Sequence, residues 1–332
     1  MPPVQALPQS AREYALVQRR EAQAAVAATL RLWRRMGPDF DVSYSRIETQ
    51  LLAVVSTAQT RISVGAQTYV PDVLDETGQV RAATAAASVR ADALVGLAGD
   101  GRPVDSLLFG AVTHAKESVS AGATVTQALR SASGWMSMTV GTLLSDTGRQ
   151  SESLAIGVRP VGGYVRMLNP PSCSRCVVLA GKWFRKNTGF QRHPRCDCRH
   201  IPASESVGSD LTVNPAEYFD QLSSADQDRI FTKAGAEAIR NGADINQVVN
   251  ARRGMKTAQV NTLRGWTPQG RLARNQFGTY TTTEGITRRG SANRVLRTPA
   301  GVYRPRLMPE SIAEIAKDRD DYLRLLRANG YL

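Results

Sequence analysis

Cys173-Ser-Arg-Cys176, followed after sixteen residues by His193-Pro-Arg-Cys196-Asp-Cys198-Arg-His200, holds every cysteine of the chain and two of its three histidines. Thiolate and imidazole donors converging on one tetrahedral ion need this layout: a close pair from a turn, a spacer long enough to fold back, and a second close group. Six side chains compete for four positions. Four of the five residues Cys173, Cys176, Cys196, Cys198 and His193 are the expected ligands, with His200 left outside. Pro194 fixes φ after His193 and holds the backbone open there. Zinc is the expected ion because sulfur-rich tetrahedral sites favour it; an iron centre is the alternative that ligand type alone leaves open. Four protein ligands leave no water to activate, so the expected role is structural. The metal is expected to organise the loop from Lys182 to Arg192, covered by Trp183, Phe184 and Phe190.

Two disulfides are the competing use of four cysteines. Cys196 and Cys198 are too close in sequence to suit independent bridges, and a chain of 332 residues buries enough core without such staples. A thioredoxin-like role for Cys173 and Cys176 calls for a strand before and a helix directly after. The preceding Asn169-Pro-Pro-Ser172 reads instead as a turn, and redox chemistry leaves the second cysteine pair unexplained.

Outward from the cluster, Leu154-Ala-Ile-Gly-Val158 and Tyr164-Val-Arg-Met-Leu168 are short β-prone runs around Arg159-Pro-Val-Gly-Gly163, which predicts a β-hairpin delivering the chain to Cys173. The first half of the chain reads as helical. An apolar stripe through Tyr14, Val17, Ala24, Ala28 and Leu32 predicts a helix over 11–36, stopped by Gly37-Pro38. A second helix is expected after the cap Ser43, running through Ile47, Leu51, Val54, Ala58 and Ile62 to Gln67. Alanine-rich helices are predicted over 77–98, 104–120 and 124–146. After the cluster, Asn214-Pro215 opens a helix, Ser223 or Ser224 caps another that ends at Gly242, and Asp244 caps a short one to Arg252. Pro309 to Leu326 reads as a terminal amphipathic helix that docks on the body or on a neighbour.

The expected fold is mainly α with a small α+β zinc-binding module. Its organisation is a helical domain over 1–150, a hairpin and Cys/His module over 151–210, a helical segment over 211–251, a basic flexible arm over 252–306 and a C-terminal helix over 307–332. No segment is apolar for long enough to span a bilayer, and Met1-Pro-Pro-Val-Gln begins no basic stretch followed by an apolar core, so a soluble intracellular protein is expected.

The formal net charge of +13 is unevenly placed. Between Arg252 and Arg306 there are 12 Lys or Arg residues and one acid, Glu284, for +11; the remaining 30 basic and 28 acidic residues leave only +2. That stretch has few apolar residues in any regular period, so it reads either as a solvated arm or as one that meets phosphate or an acidic protein surface. Its candidate contacts are Arg252, Arg253, Lys256, Arg264, Arg271, Arg274, Arg288, Arg289, Arg294 and Arg297.

Enzyme motifs are absent from the sequence: there is no Gly-x-Ser-x-Gly, no phosphate-cradling glycine loop and no His-Glu-x-x-His. His114 with Ser118 one helical turn later has the spacing of a base and a nucleophile, but nothing in the sequence places an orienting acid or oxyanion donors beside them.

The run Pro171-Ser-Cys173-Ser-Arg-Cys176-Val-Val-Leu-Ala-Gly181 with His193-Pro-Arg-Cys196-Asp-Cys198 resembles the signature of phage minor head proteins of the Mu F type, the head morphogenesis family of tailed bacteriophages. Asp226-Gln-Asp-Arg-Ile-Phe-Thr-Lys-Ala-Gly235, Val248-Val-Asn-Ala-Arg-Arg-Gly254 and Arg306-Leu-Met-Pro-Glu310 resemble the minor capsid proteins of phages that infect actinobacteria. The likeness covers about 150 to 332; the helical first half matches only in style. It implies a structural virion component at the portal vertex, present in the host cytoplasm during assembly. Its implied partners are the portal protein, other head proteins and double-stranded DNA bound without sequence preference, with no membrane and no small-molecule substrate. Some relatives with this signature are described as capsid maturation proteases, which makes that activity the alternative. A zinc-dependent, sequence-independent DNA-binding protein is the second alternative.

Overall fold

The computed structural model describes residues 6–169, 172–189, 196, 198–252, 280–282, 291–297, 299, 301 and 305–332, with backbone only for 291–293. Helices α1 (Gln9–Trp33), α2 (Phe40–Ser45), α3 (Glu48–Glu76), α4 (Val80–Ala83), α5 (Val104–Ser120) and α6 (Val125–Gly157) precede strand β1 (Gly163–Met167). Helix α7 (Ser174–Ala180), strands β2 (Trp183–Arg185) and β3 (Arg199–Ala203) and helix α8 (Glu205–Leu211) follow. The remainder comprises α9 (Pro215–Asp220), α10 (Ser224–Phe231), α11 (Lys233–Arg240), α12 (Ile245–Ala251), β4 (Thr281–Thr282), α13 (Ser291–Leu296), β5 (Arg306–Leu307), α14 (Pro309–Ile315) and α15 (Arg319–Ala328). The chain divides into two compact units, one of residues 5–170 with 182–212, the other of residues 171–181 with 213–332. It is mostly helical with a small antiparallel sheet, as the sequence leads one to expect.

In the first unit α1, α3, α5 and α6 pack into a bundle because each buries a stripe at three- and four-residue spacing. On α6 the stripe runs Ala128, Ala132, Met136, Val140, Leu143 and Leu144, and it shares one core with Trp33, Leu51, Val55, Leu108 and Val112. Alanines at 111, 115, 128 and 132 let α5 and α6 approach closely. A capping box starts α6: Thr124 Oγ1 accepts from Gln127 N, and Gln127 Oε1 accepts from Thr124 N. The N-terminal helix and those over 104–120 and 124–146 form as predicted, although α6 extends eleven residues further, to Gly157.

Three local expectations fail. Leu154-Ala-Ile-Gly-Val158 is not a strand: Glu152, Ala155 and Ile156 are buried while Leu154 is exposed, so a helical period continues through the run and it forms the end of α6. The helix expected over 77–98 is confined to α4 and a 3₁₀ turn at Ala91–Leu94. Residues 84–88 are exposed; alanine propensity without an apolar face to bury does not hold a helix in water. Ser43 caps nothing; Asp39 caps α2, and Ser43 Oγ accepts from Gly37 N instead.

Strand β1 forms as expected, but its partners come later in the chain. It is the centre of a sheet ordered β2-β1-β3, antiparallel on both sides, with Val165 opposite Trp183 and Ile201. Tyr14, Tyr69, Val70, Val73, Ile156, Val165 and Ile201 join in a second core that packs this sheet on α1, α3 and α6.

In the second unit Asn214, Ser223 and Asp244 cap α9, α10 and α12 as their sequence positions imply. The helix expected to run unbroken from Ser223 or Ser224 to Gly242 is split at Thr232, which takes φ +68° and whose Oγ1 accepts from Gly235 N to start α11. The single helix expected from Pro309 to Leu326 is two, α14 and α15, broken where Ala316 turns extended and Asp318 caps the next helix, and the segment docks within its own unit. Met308, Ile312, Tyr322, Leu326 and Tyr331 share a core with Ala238, Val248 and Ala251, and Tyr331 donates its phenol hydrogen to Leu307 O. Among the described residues no helix is long and apolar enough to cross a membrane.

Candidate metal centre

The start of helix α7 and the residues leading into strand β3 present the cysteines. Cys173 is the N-cap residue of α7 and Cys176 lies in its first turn, which brings their sulfurs to 3.3 Å. The helix thus begins between the two cysteines and carries Cys176 within it. The other pair, Cys196 and Cys198, precedes β3, which begins at Arg199. The Sγ atoms of Cys176, Cys196 and Cys198 all lie within 4.8 Å of one another, and the three residues are only 3%, 2% and 1% exposed. Buried thiols converging in this way form a cluster that could bind a metal ion.

The donor set passes a chemical test of fit. A tetrahedral site with Zn–S bonds of ~2.3 Å places its sulfurs ~3.8 Å apart, and the distances here, 3.3 Å and up to 4.8 Å, bracket that value. Cys173, an expected ligand, is not one of the three mutually close sulfurs; its Sγ lies 3.3 Å from that of Cys176. Three or four thiolates on a divalent ion leave a net negative charge, which is costly in a buried place without a cation. Arg166, fully buried in the middle of β1, donates from Nη2 to Cys196 Sγ at 3.1 Å. Arg149 of α6 fixes the loop itself: Nη1 donates to the carbonyls of Cys196 and Cys198 at 2.7 and 3.2 Å, and Nη2 pairs with Asp146. Such outer contacts orient ligands as much as the ligands' own backbone does.

The remaining sequence candidates fall as follows. His193 and Phe190 lie outside the described residues. His200 is on β3, away from the sulfurs in its role: Nδ1 lies 3.2 Å from Glu152 Oε2, which also accepts from His200 N at 2.9 Å. Glu152 is wholly buried, Arg199 Nε stands 4.0 Å from its other oxygen, and Tyr69 donates to His200 O. Tyr14 and Tyr69 stack at 4.0 Å beside this group, and burial reinforced by the Glu152 charge raises both phenol pKa values well above 10.0. Trp183 and Phe184 pack into the second core, Trp183 donating to Ala203 O. His114 Nε2 meets Ser131 Oγ at 2.8 Å while Ser118 gives its hydroxyl hydrogen to His114 O, so the pair read as base and nucleophile is not assembled.

Of the basic stretch, Arg253, Lys256, Arg264, Arg271, Arg274, Arg288 and Arg289 lie outside the described residues, and Arg294 and Arg297 are exposed. Arg252 is engaged in the fold instead: it pairs with Glu310, donates to Thr232 Oγ1, and burial lowers its pKa to about 10. Arg306, at the other end, is fully buried over the Tyr331 ring at 4.6 Å and donates to Gln247.

Arg149 and Arg166 escape a reading by ligand type alone. Their signal is a charge where the pattern demands an apolar residue: Arg166 inside Tyr164-Val-Arg-Met-Leu168, and Asp146, Arg149 and Glu152 at three-residue steps along the buried side of α6.

Comparison with protein families, curated proteins and solved structures finds no match for this chain.

Proposed function

We propose that this chain is a structural minor head protein of the Mu F type, acting at the portal vertex of a tailed phage during head assembly, with a structural zinc ion in its cysteine cluster. The observation that carries the reading is the convergence of buried Cys176, Cys196 and Cys198, with Cys173 adjacent, in the spacing of that family's signature. Cys173, Cys176, Cys196 and Cys198 hold the ion on this reading, with His193 the alternative fourth donor. When bound, the ion supplies folding free energy and no chemistry on a substrate. Arg166 balances the excess thiolate charge, and Arg149 holds the carbonyls of Cys196 and Cys198 and so orders the ligand loop. The long helices of the first unit offer a docking surface for portal subunits, and the basic stretch between the folded ends Arg252 and Arg306 reaches packaged DNA or the inner shell.

The test has two readouts. Elemental analysis of purified protein is expected to find one zinc per chain, lost in Cys176→Ser. Co-expression with the portal and shell proteins of the same phage is expected to yield procapsids containing this chain in few copies. Procapsids that assemble without it would refute the head-protein reading even if zinc is present.

A further inference from the structure

Within the first unit, α6 and the sheet enclose a cleft of about 450 Å³, a volume typical of small-ligand sites. Lys186, Arg149 and His200 line it, and among the described residues none that lines it is acidic. Gln150, Ser153 and Asn187 add neutral hydrogen-bond donors around the same space. We propose that this cleft is a binding site for an oxyanion, a phosphate or carboxylate group.

Two features show construction beyond a chance gathering of surface lysines. Arg149 is 4% exposed, and its Nη atoms are committed to Asp146 and the carbonyls of Cys196 and Cys198, yet its Nε–H has no acceptor among the described residues. A buried guanidinium N–H without an acceptor costs about 1–3 kcal/mol, and a bound anion or an ordered water at the cleft wall is the ordinary way such a group is satisfied. The second feature is the support of His200. Glu152 holds the ring at Nδ1 from behind, does not itself line the cleft, and is balanced by Arg199. The Glu152 charge is thus absent from the lining, which carries Arg149, Lys186 and His200. The buried Tyr164 ring gives the wall a low-dielectric part, which strengthens the attraction for an anion.

The site shares Arg149 with the cysteine loop but owes nothing to the head-protein reading, so anion binding by the metal-loaded protein and assembly into heads can fail separately. The experiment is titration of the full-length, metal-loaded protein with inorganic phosphate and, separately, with acetate, followed by amide NMR and calorimetry. Saturable shifts at Ser153 and His200 are expected for one of the two anions, and that anion names the group. Lys186→Gln, at an exposed position that leaves the core intact, is expected to weaken binding about tenfold, the loss of one charge-assisted contact. Displacement of bound phosphate by duplex DNA assigns the group to a nucleic-acid backbone; failure to displace it assigns a free phosphate ligand. Binding of neither anion by folded protein, or equal binding by Lys186→Gln, overturns the proposal.

Discussion

Arg166 sits where a strand between two neighbours has no room for water, and its guanidinium reaches a cysteine sulfur. A lone thiol gives no reason to bury a permanent cation; a cluster of thiolates on a divalent ion does. Arg166→Met keeps roughly the same volume while deleting the charge. It is expected to weaken zinc binding by about 10- to 100-fold, the usual range for removing a contact behind the ligands, as measured by competition with a chromogenic chelator. Unchanged affinity would mean that the arginine answers some other need. A second prediction concerns Tyr331, whose phenol pKa burial raises from 10.0 to about 12. Between those values the unfolded chain has lost the phenol proton and the folded chain keeps it, so stability is full below pH 10 and falls as pH rises towards 12. Tyr331→Phe should cost about 1 kcal/mol at neutral pH through the lost bond to Leu307 O. It should also lose less than the parent protein over the alkaline range in a thermal-unfolding series. An equal alkaline loss in both would sink the assignment. At this scale the cysteines were legible in the sequence because ligand types and spacing are chemical, whereas the two arginines were visible only once the surfaces they are buried in were known.

At the scale of elements, α6 ties the first unit together: its amino-terminal half belongs to the helical core, and its last turns carry Asp146, Arg149 and Glu152 towards the sheet. Glu152 is the acceptor that makes burial of Arg199 and His200 tolerable. Glu152→Gln deletes one charge of a buried group and is expected to cost about 3 kcal/mol, lowering the unfolding midpoint of the first unit, about 200 residues, by roughly 6–12 °C. A drop of a degree or less in calorimetry would show that the group contributes little net stability. Helices whose apolar stripe and stop signals lie within one segment, such as α1 and α5, could be read directly from the chain. The partners of β1 could not. They lie about twenty and thirty-five residues downstream of it, and the hairpin rule looks only across a tight turn, so it drew in Leu154–Val158, whose helical period it overlooked. The break at Thr232 is equally silent in sequence, because a positive φ is ordinarily announced by glycine or asparagine and here falls on a β-branched residue.

For the whole molecule the decisive quantity is where the positive charge ends up. The excess of +11 between residues 252 and 306 is not all available to a partner, since Arg252 and Arg306 are spent inside the second unit on Glu310, Gln247 and Tyr331. That leaves 10 basic residues over 253–304 against the single acid Glu284. If the stretch meets packaged DNA, each phosphate neutralised releases counterions, and the logarithm of affinity falls with the logarithm of salt by about 0.9 per contact. Replacing Arg264, Arg271 and Arg274 together by Gln is therefore expected to flatten that slope by up to ~2.7 on duplexes of unrelated sequence. Arg252→Gln provides the internal control: it should leave the slope unchanged and lower the unfolding midpoint, because its charge is already paired with Glu310. Filter-binding titrations at several salt concentrations separate the outcomes. A slope that ignores the triple replacement, or one that responds to Arg252→Gln as strongly, would turn the assignment from DNA to an acidic protein surface within the head, for which the same arginines are equally suited.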